Sequence, residues 1–191
     1  MTRIVAGTAG GRSLRSPAGL RTRPTTERVR EALFSALEAA AGPMSGLRFL
    51  DLFAGSGAVG LEALSRGAAT AVFVEQDQRT AQVIRDNAAD LGFAGLKVIT
   101  DRVAHHLSGA SPSRFDVAFC DPPYALASEE LTKVVELLVS RKWLAVDAVV
   151  VLERPSRDPA THWPPGILAT RQRRYGDTTL WYGRRSANPA P

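Results

Sequence analysis

Four apolar runs in this chain each close on a carboxylate. Phe49-Leu50 runs into Asp51, Ala71 to Val74 into Glu75, Leu96 to Thr100 into Asp101, and Phe115 to Cys120 into Asp121. Short apolar runs bounded by polar turns read as buried parallel strands, here near 48–53, 70–75, 96–100 and 115–120. Helical patterns near 58–66 and 78–91 lie between them. A helix near 128–141 and the apolar strand Ala145 to Glu153 follow. Leu168 to Tyr175 and Thr178 to Gly183 then read as a closing antiparallel pair across Gly176-Asp177. This alternation predicts an α/β chain with a doubly wound, mostly parallel, seven-stranded sheet. Ligands of such sheets sit at the carboxyl ends of the strands, which is where all four acids fall.

The fourth strand leaves the sheet through Asp121-Pro122-Pro123-Tyr124. Two consecutive prolines can neither extend a strand nor enter a helix interior, so the backbone must turn outward. The turn offers a carboxylate, prolyl carbonyls and an aromatic ring. A planar amino group on a base needs acceptors for its two hydrogens and a surface to lie against, and these residues can provide both.

About seventy residues upstream, Phe49-Leu50-Asp51-Leu52-Phe53-Ala54-Gly55-Ser56-Gly57-Ala58-Val59-Gly60 takes an apolar strand through an acid and a glycine-rich turn into a helix. Glycine permits positive φ and close approach of a ligand. The helix after it points its first N–H groups at the turn. Dinucleotide enzymes use a related glycine pattern, but here Asp51 stands immediately before it. Glu75, at the end of the second strand, is placed to accept hydrogen bonds from both hydroxyls of a ribose. Asp101, after the third strand, falls within reach of an adenine edge.

Before the sheet, Arg3 to Ala6 and Arg12 to Leu14 read as a hairpin across a glycine-rich turn. Pro24 and two threonines introduce a helix with Thr26 as its cap and Val29, Leu33, Ala36, Leu37 and Ala40 as its apolar stripe.

Together these residues resemble the class I S-adenosylmethionine-dependent methyltransferases, in particular those acting on exocyclic amino groups. Arg3-Ile4-Val5-Ala6-Gly7 with Gly10-Gly11-Arg12, then Arg23-Pro24-Thr25-Thr26-Glu27-Arg28-Val29-Arg30-Glu31-Ala32-Leu33-Phe34, and the late Arg174-Tyr175-Gly176-Asp177-Thr178, are similar to the RsmD family. The resemblance covers nearly the whole chain. It implies methylation of guanine N2 in small-subunit (16S) ribosomal RNA, with the ribosomal subunit, and with it ribosomal proteins, as partners. It implies a Rossmann-like domain over 25–185, a basic hairpin extension over 1–24 and a frayed tail over 186–191. Asp51, Phe53, Gly55, Gly57, Glu75 and Asp101 would hold the cofactor. Asp121 and Pro122 would accept from the target amino group while Tyr124 stacks on the base. Arg12, Arg23, Thr25, Arg28 and Arg30 would face the RNA.

The charge is uneven in a way that suits this expectation. The chain carries +5 overall, but residues 1–30 carry seven arginines against one acid and residues 171–191 five against one. The ends are therefore positive around an acidic middle, a layout for flanks that meet phosphate. With 191 residues and 45% hydrophobic content, the chain suits one domain with a sizeable core. The single cysteine, Cys120, excludes an internal disulfide and reads as a core residue. Three scattered histidines offer no metal-ligand spacing, so no metal is expected. No run suits a membrane span and the start lacks a secretion-signal layout, so a cytoplasmic monomer is the expectation. Trp143, Trp163 and Trp181 read as packing residues, and 154–165 as a surface loop. Two other readings compete. A DNA adenine-N6 methyltransferase could use the same turns but commonly carries a larger target-reading region. A noncatalytic RNA-binding or ribosome-assembly protein would have no use for so complete a cofactor site.

Overall fold

The computed structural model describes residues 2–17 and 26–187. Strands β1 (Thr2–Arg3) and β2 (Ser13–Leu14) form a small antiparallel hairpin. Helix α1 (Glu27–Ala41) follows, then β3 (Arg48–Leu52), α2 (Ala58–Ser65), β4 (Thr70–Glu75), α3 (Gln78–Leu91) and β5 (Leu96–Thr100). Helix α4 (Val103–Ser108), β6 (Phe115–Cys120), α5 (Ser128–Ser140), β7 (Leu144–Pro155), β8 (Ile167–Tyr175) and β9 (Thr178–Arg185) complete the chain. The seven strands from β3 onward form one sheet in the order β5-β4-β3-β6-β7-β9-β8. The first five of that order are parallel, and β9 and β8 add to them antiparallel.

Alternate strand residues feed two separate cores. Phe49, Phe73, Val117 and Phe119 meet Leu33 and Leu37 of α1, Leu61 of α2 and Ile84 of α3 on one face. Leu50, Leu52, Val74 and Ala118 meet Val103 and Leu107 of α4 and Leu131, Val135 and Leu138 of α5 on the other. With both faces covered, the strands have no polar side, which is why they read as continuous apolar runs. Cys120 and Trp143 are buried as packing residues, and the Trp143 indole N–H donates to the Leu107 carbonyl at 3.0 Å. Among the described residues, no helix is long and apolar enough to cross a membrane.

The hairpin belongs to this core: Ile4, Ala9 and Leu14 are buried in the same cluster as α1 and α2. Its contact with α2 is polar and tight. The buried Glu62 carboxylate accepts from the Val5 and Ala6 N–H groups at 2.7 and 2.9 Å and pairs with Arg66 at 2.8 Å. Its second oxygen lies 3.6 Å from Nε of Arg30, and both side chains are fully buried. Ser65 completes the seam, accepting from the Ala9 N–H at 3.0 Å and donating to the Ala6 carbonyl at 2.6 Å. A Cβ on Gly7 would stand 1.9 Å from the Ser65 carbonyl oxygen, so only glycine fits there.

Several expectations need correction. The hairpin strands are shorter than Arg3 to Ala6 and Arg12 to Leu14: Ile4 still bonds across to Arg12 and Gly11, but the Val5 and Ala6 N–H groups turn to Glu62 of α2. Thr26 caps α1 as expected, accepting from the Val29 N–H, but Ala40 is exposed while Phe34 and Arg30 join the buried face. Strand β7 runs through Arg154 to Pro155 because β9 pairs with it that far, so the loop begins later than 154. Helix α4 was not expected from the sequence. The tail residues 188–191 lie outside the described residues, as do Arg23 and Thr25.

Candidate active site

Three turns stand side by side at the carboxyl ends of the parallel strands. Hydrogen bonds one step beyond the sheet join them: Ala54 N–H to the Val74 carbonyl at 3.1 Å, Asp101 N–H to Glu75 at 3.1 Å, and Asp121 N–H to Leu52 at 3.4 Å. The acids predicted from sequence therefore lie side by side at neighbouring strand ends.

The glycines of the first turn do different work. Gly55 has φ +54°, and a Cβ there would meet nothing within 4 Å, so this glycine faces open space. Gly57, at φ +77°, would press a Cβ 2.9 Å from Ile84, and on Gly60 a Cβ would stand 2.3 Å from the Phe73 ring. Gly55 leaves its face of the turn open; Gly57 lets the start of α2 pack against Ile84 of α3, and Gly60 lets α2 approach Phe73 of the sheet. Phe53 holds φ 58°, a conformation an aromatic residue rarely adopts, and such strain collects at ligand sites.

Asp51 is buried, and its carboxylate accepts from the Gly60 N–H at 2.9 Å. Gly57 supplies no side chain to cap α2, so Asp51 caps the helix from the neighbouring strand. Burial pushes its carboxyl up to about 8, against the Gly60 hydrogen bond and with help from Glu75. A native acid held above its unfolded value contributes stability that is complete below about pH 4 and is lost as pH rises through about 8. Asp51→Asn keeps an acceptor for Gly60 without the proton. It is expected to flatten the fall in stability between pH 5 and 8, about 1.4 kcal/mol per pH unit for one proton, in denaturant titrations across that range.

Glu75 spans the same turn, accepting from the Gly55 N–H at 3.0 Å and the Asp77 N–H at 2.9 Å. Its carboxylate is thus fixed beside the open face of Gly55. Asp101 accepts from its neighbour Arg102 and pairs with Nδ1 of His105 at 2.7 Å, contacts that hold its carboxyl below the usual range.

In the third turn, the Leu126 N–H donates to the Pro123 carbonyl at 2.8 Å, while no described N–H donates to the Pro122 carbonyl. Asp121 sits at the mouth, half-buried, and Tyr124 exposes 58% of its surface. Burial pushes the Asp121 carboxyl well above the ordinary range, with Glu153 and Asp51 adding to it and Arg154 opposing. Arg154 also braces this turn. Its guanidinium donates to the Leu126 carbonyl at 3.2 Å and meets Asp158 at 2.7 Å. Read as part of a loop, Arg154 gave no sequence signal for that position.

The basic residues assigned to RNA do not all reach the surface. Arg28 is exposed. Arg12 is exposed too and donates to the Asp90 carbonyl at 2.9 Å. Arg30 is a correction: with 0% of its surface exposed and Glu62 beside it, it secures the hairpin and cannot meet RNA.

This strand order, with a glycine turn after the first strand of the sheet and an acid closing each of the next three, defines a class I methyltransferase. The chain belongs to the family described as Conserved hypothetical protein 95, whose model matches residues 2–184. This bears out the resemblance to the RsmD family. The ribosomal RNA small subunit methyltransferase D of Escherichia coli K12 is 38% identical over 151 residues, covering 79% of this chain and 73% of that protein. YlbH of Bacillus subtilis, described as a candidate rRNA methyltransferase, is 34% identical over 92% of this chain and 95% of its own length. The solved structure of yhhF from Escherichia coli, described as a candidate methyltransferase, superposes with a TM-score of 0.84. It has 33% identity and covers 98% of this chain and 99% of that one.

Proposed function

We propose that this chain transfers a methyl group from S-adenosylmethionine to the exocyclic N2 amino group of a guanine in small-subunit ribosomal RNA, within an assembled or partly assembled particle. The observation that carries the reading is the Asp121-Pro122-Pro123-Tyr124 turn, joined by a backbone hydrogen bond to the strand that enters the glycine turn. The names of the relatives support ribosomal RNA as substrate.

The residues present fit the cofactor. The open face of Gly55 accommodates its methionine portion, Asp51 answers its ammonium group, and Glu75 answers its ribose hydroxyls. Asp101, at the end of the next strand, would accept from the adenine amino group. The cofactor supplies an electrophilic methyl on a positively charged sulfur. A bound cation there favours ionised Asp51 and Asp121, both of which burial holds toward the protonated form.

The guanine amino lone pair is delocalised into the ring and is a weak nucleophile. Asp121 and the Pro122 carbonyl accept from its two hydrogens, which aims the nitrogen and favours a tetrahedral geometry as the N–C bond forms and the methyl–sulfur bond breaks, after which the methylated nitrogen gives up one proton to water. The Tyr124 ring, exposed at the mouth, stacks on the base once it is turned out of the RNA.

Calorimetric titration with S-adenosylmethionine tests the cofactor half of the reading. One equivalent is expected to bind, more tightly at pH 8.5 than at pH 6.5, with uptake of the cofactor releasing protons. Glu75→Ala should weaken binding at least roughly tenfold, the scale of ~1.4 kcal/mol, and change turnover at saturating cofactor much less. Absence of binding in the unaltered chain would exclude the reading.

A further inference from the structure

Arginines of the late flank lie on β8, the edge strand of the sheet, and register fixes their position relative to the crevice. Cys120 pairs with Leu152, Leu152 with Trp181, and Trp181 with Gln172. One step further on, where Asp121 leaves the sheet, Glu153 pairs with Leu180 and Leu180 with Arg173. Arg173 is therefore level with Asp121, three strand spacings away, about 14 Å.

Residues 168–174 of β8 are all exposed, so this edge strand lies open to solvent while β9 beside it stays in the core. Arg171 and Arg173 stand opposite Tyr182 and Leu180, which face the same side as α1, where Arg28 is exposed. Among the described residues no carboxylate pairs with Arg171, Arg173 or Arg174. Their contacts hold them in place while sparing most of their N–H donors. Arg171 lies 6.0 Å from the Tyr182 ring centre, Arg173 donates to Gln172 at 3.4 Å, and Arg174 donates to Gly176 at 3.0 Å.

We propose that the β8–β9 ribbon is a phosphate-binding rail on which RNA beside the target base lies, with Arg171, Arg173 and Arg174 as its contacts. The inference rests on the proposed function for the identity of the nucleic acid. Cations on an edge strand can also serve only to prevent strands from pairing between molecules. That role needs charge anywhere on the edge. It does not call for three guanidinium groups without a carboxylate partner at the end of the strand level with Asp121, each able to grip phosphate.

The test compares the unaltered chain with Arg171→Gln/Arg173→Gln/Arg174→Gln and with the matching triple lysine variant, using protein-free small-subunit ribosomal RNA and varied salt. The glutamine variant should reduce the slope of log affinity against log salt by about 2 to 3, and the lysine variant should retain most of it. The KM for RNA should rise roughly tenfold or more near physiological salt, with S-adenosylmethionine affinity unchanged. An unchanged slope overturns the rail, and so does a glutamine variant that self-associates while binding RNA as before. Should the triple variant fail to fold, Arg173→Gln alone should lower the slope by about 1, and no change would again overturn the proposal. Binding of RNA is read without catalysis, so an unaltered chain that binds RNA but transfers no methyl would defeat the proposed function and leave the rail standing.

Discussion

Asp121→Ala is expected to lower kcat roughly 100- to 1,000-fold while leaving the affinity for S-adenosylmethionine within a few-fold of its original value. The side chain stands where β6 leaves the sheet, and its residue's described backbone bond, from its own N–H to the Leu52 carbonyl of β3, is one that alanine keeps. What disappears is the acceptor that aims the amino nitrogen and stabilises its developing charge. The unaltered enzyme should also show an acid limb in kcat/KM lying above the ordinary carboxylate range. Burial, Glu153 and Asp51 favour the protonated form of Asp121 there, and the ionised carboxylate is the stronger acceptor for the amino group and the better stabiliser of its developing positive charge. Activity should therefore rise with pH through that limb, and the limb should vanish in the alanine variant. Rapid-quench measurement of a single turnover across pH checks both points.

Glu62→Ala should be the most damaging single change to stability, at about 3–5 kcal/mol. The substitution leaves the buried Arg30 cation without its carboxylate and the Val5 and Ala6 N–H groups without an acceptor. Against the usual ~5–15 kcal/mol for a domain, that loss is a large share of the total. The double variant Arg30→Met/Glu62→Gln should recover part of it, since it removes the buried cation and restores one acceptor. Urea unfolding of the single and double variants measures the difference. A single variant as stable as the original would mean that the hairpin seam contributes nothing.

Where a strand ends in an acid and a turn, sequence carried the site. Asp51, Glu75, Asp101 and Asp121 lie at neighbouring strand ends because each continuous apolar run stops at its acid, and the parallel register sets those ends side by side. The split among the glycines was not legible, since the same letter serves open approach at Gly55 and close packing at Gly60. Arg30 misled because exposed and buried arginines look identical in sequence. The clue was its spacing of four from Phe34 on the buried face of α1, with Glu62 available elsewhere in the chain. Helix α4 escaped because its six residues carry only Val103 and Leu107 as an apolar pair and begin after Arg102, a poor cap. Arg154 escaped because β9 alone decides how far β7 extends, and no local pattern records that pairing.

The central claim is that the turn at Asp121 delivers an exocyclic guanine amine to S-adenosylmethionine. The most direct measurement is transfer of labelled methyl from that cofactor to small-subunit particles lacking the modification, with naked RNA and DNA alongside, followed by identification of the labelled nucleoside. The account predicts N2-methylguanine at one position in the ribosomal RNA, and none with Asp121→Ala at saturating cofactor within the time of one normal turnover. Label recovered as N6-methyladenine, or equal transfer by the Asp121→Ala chain, would contradict it.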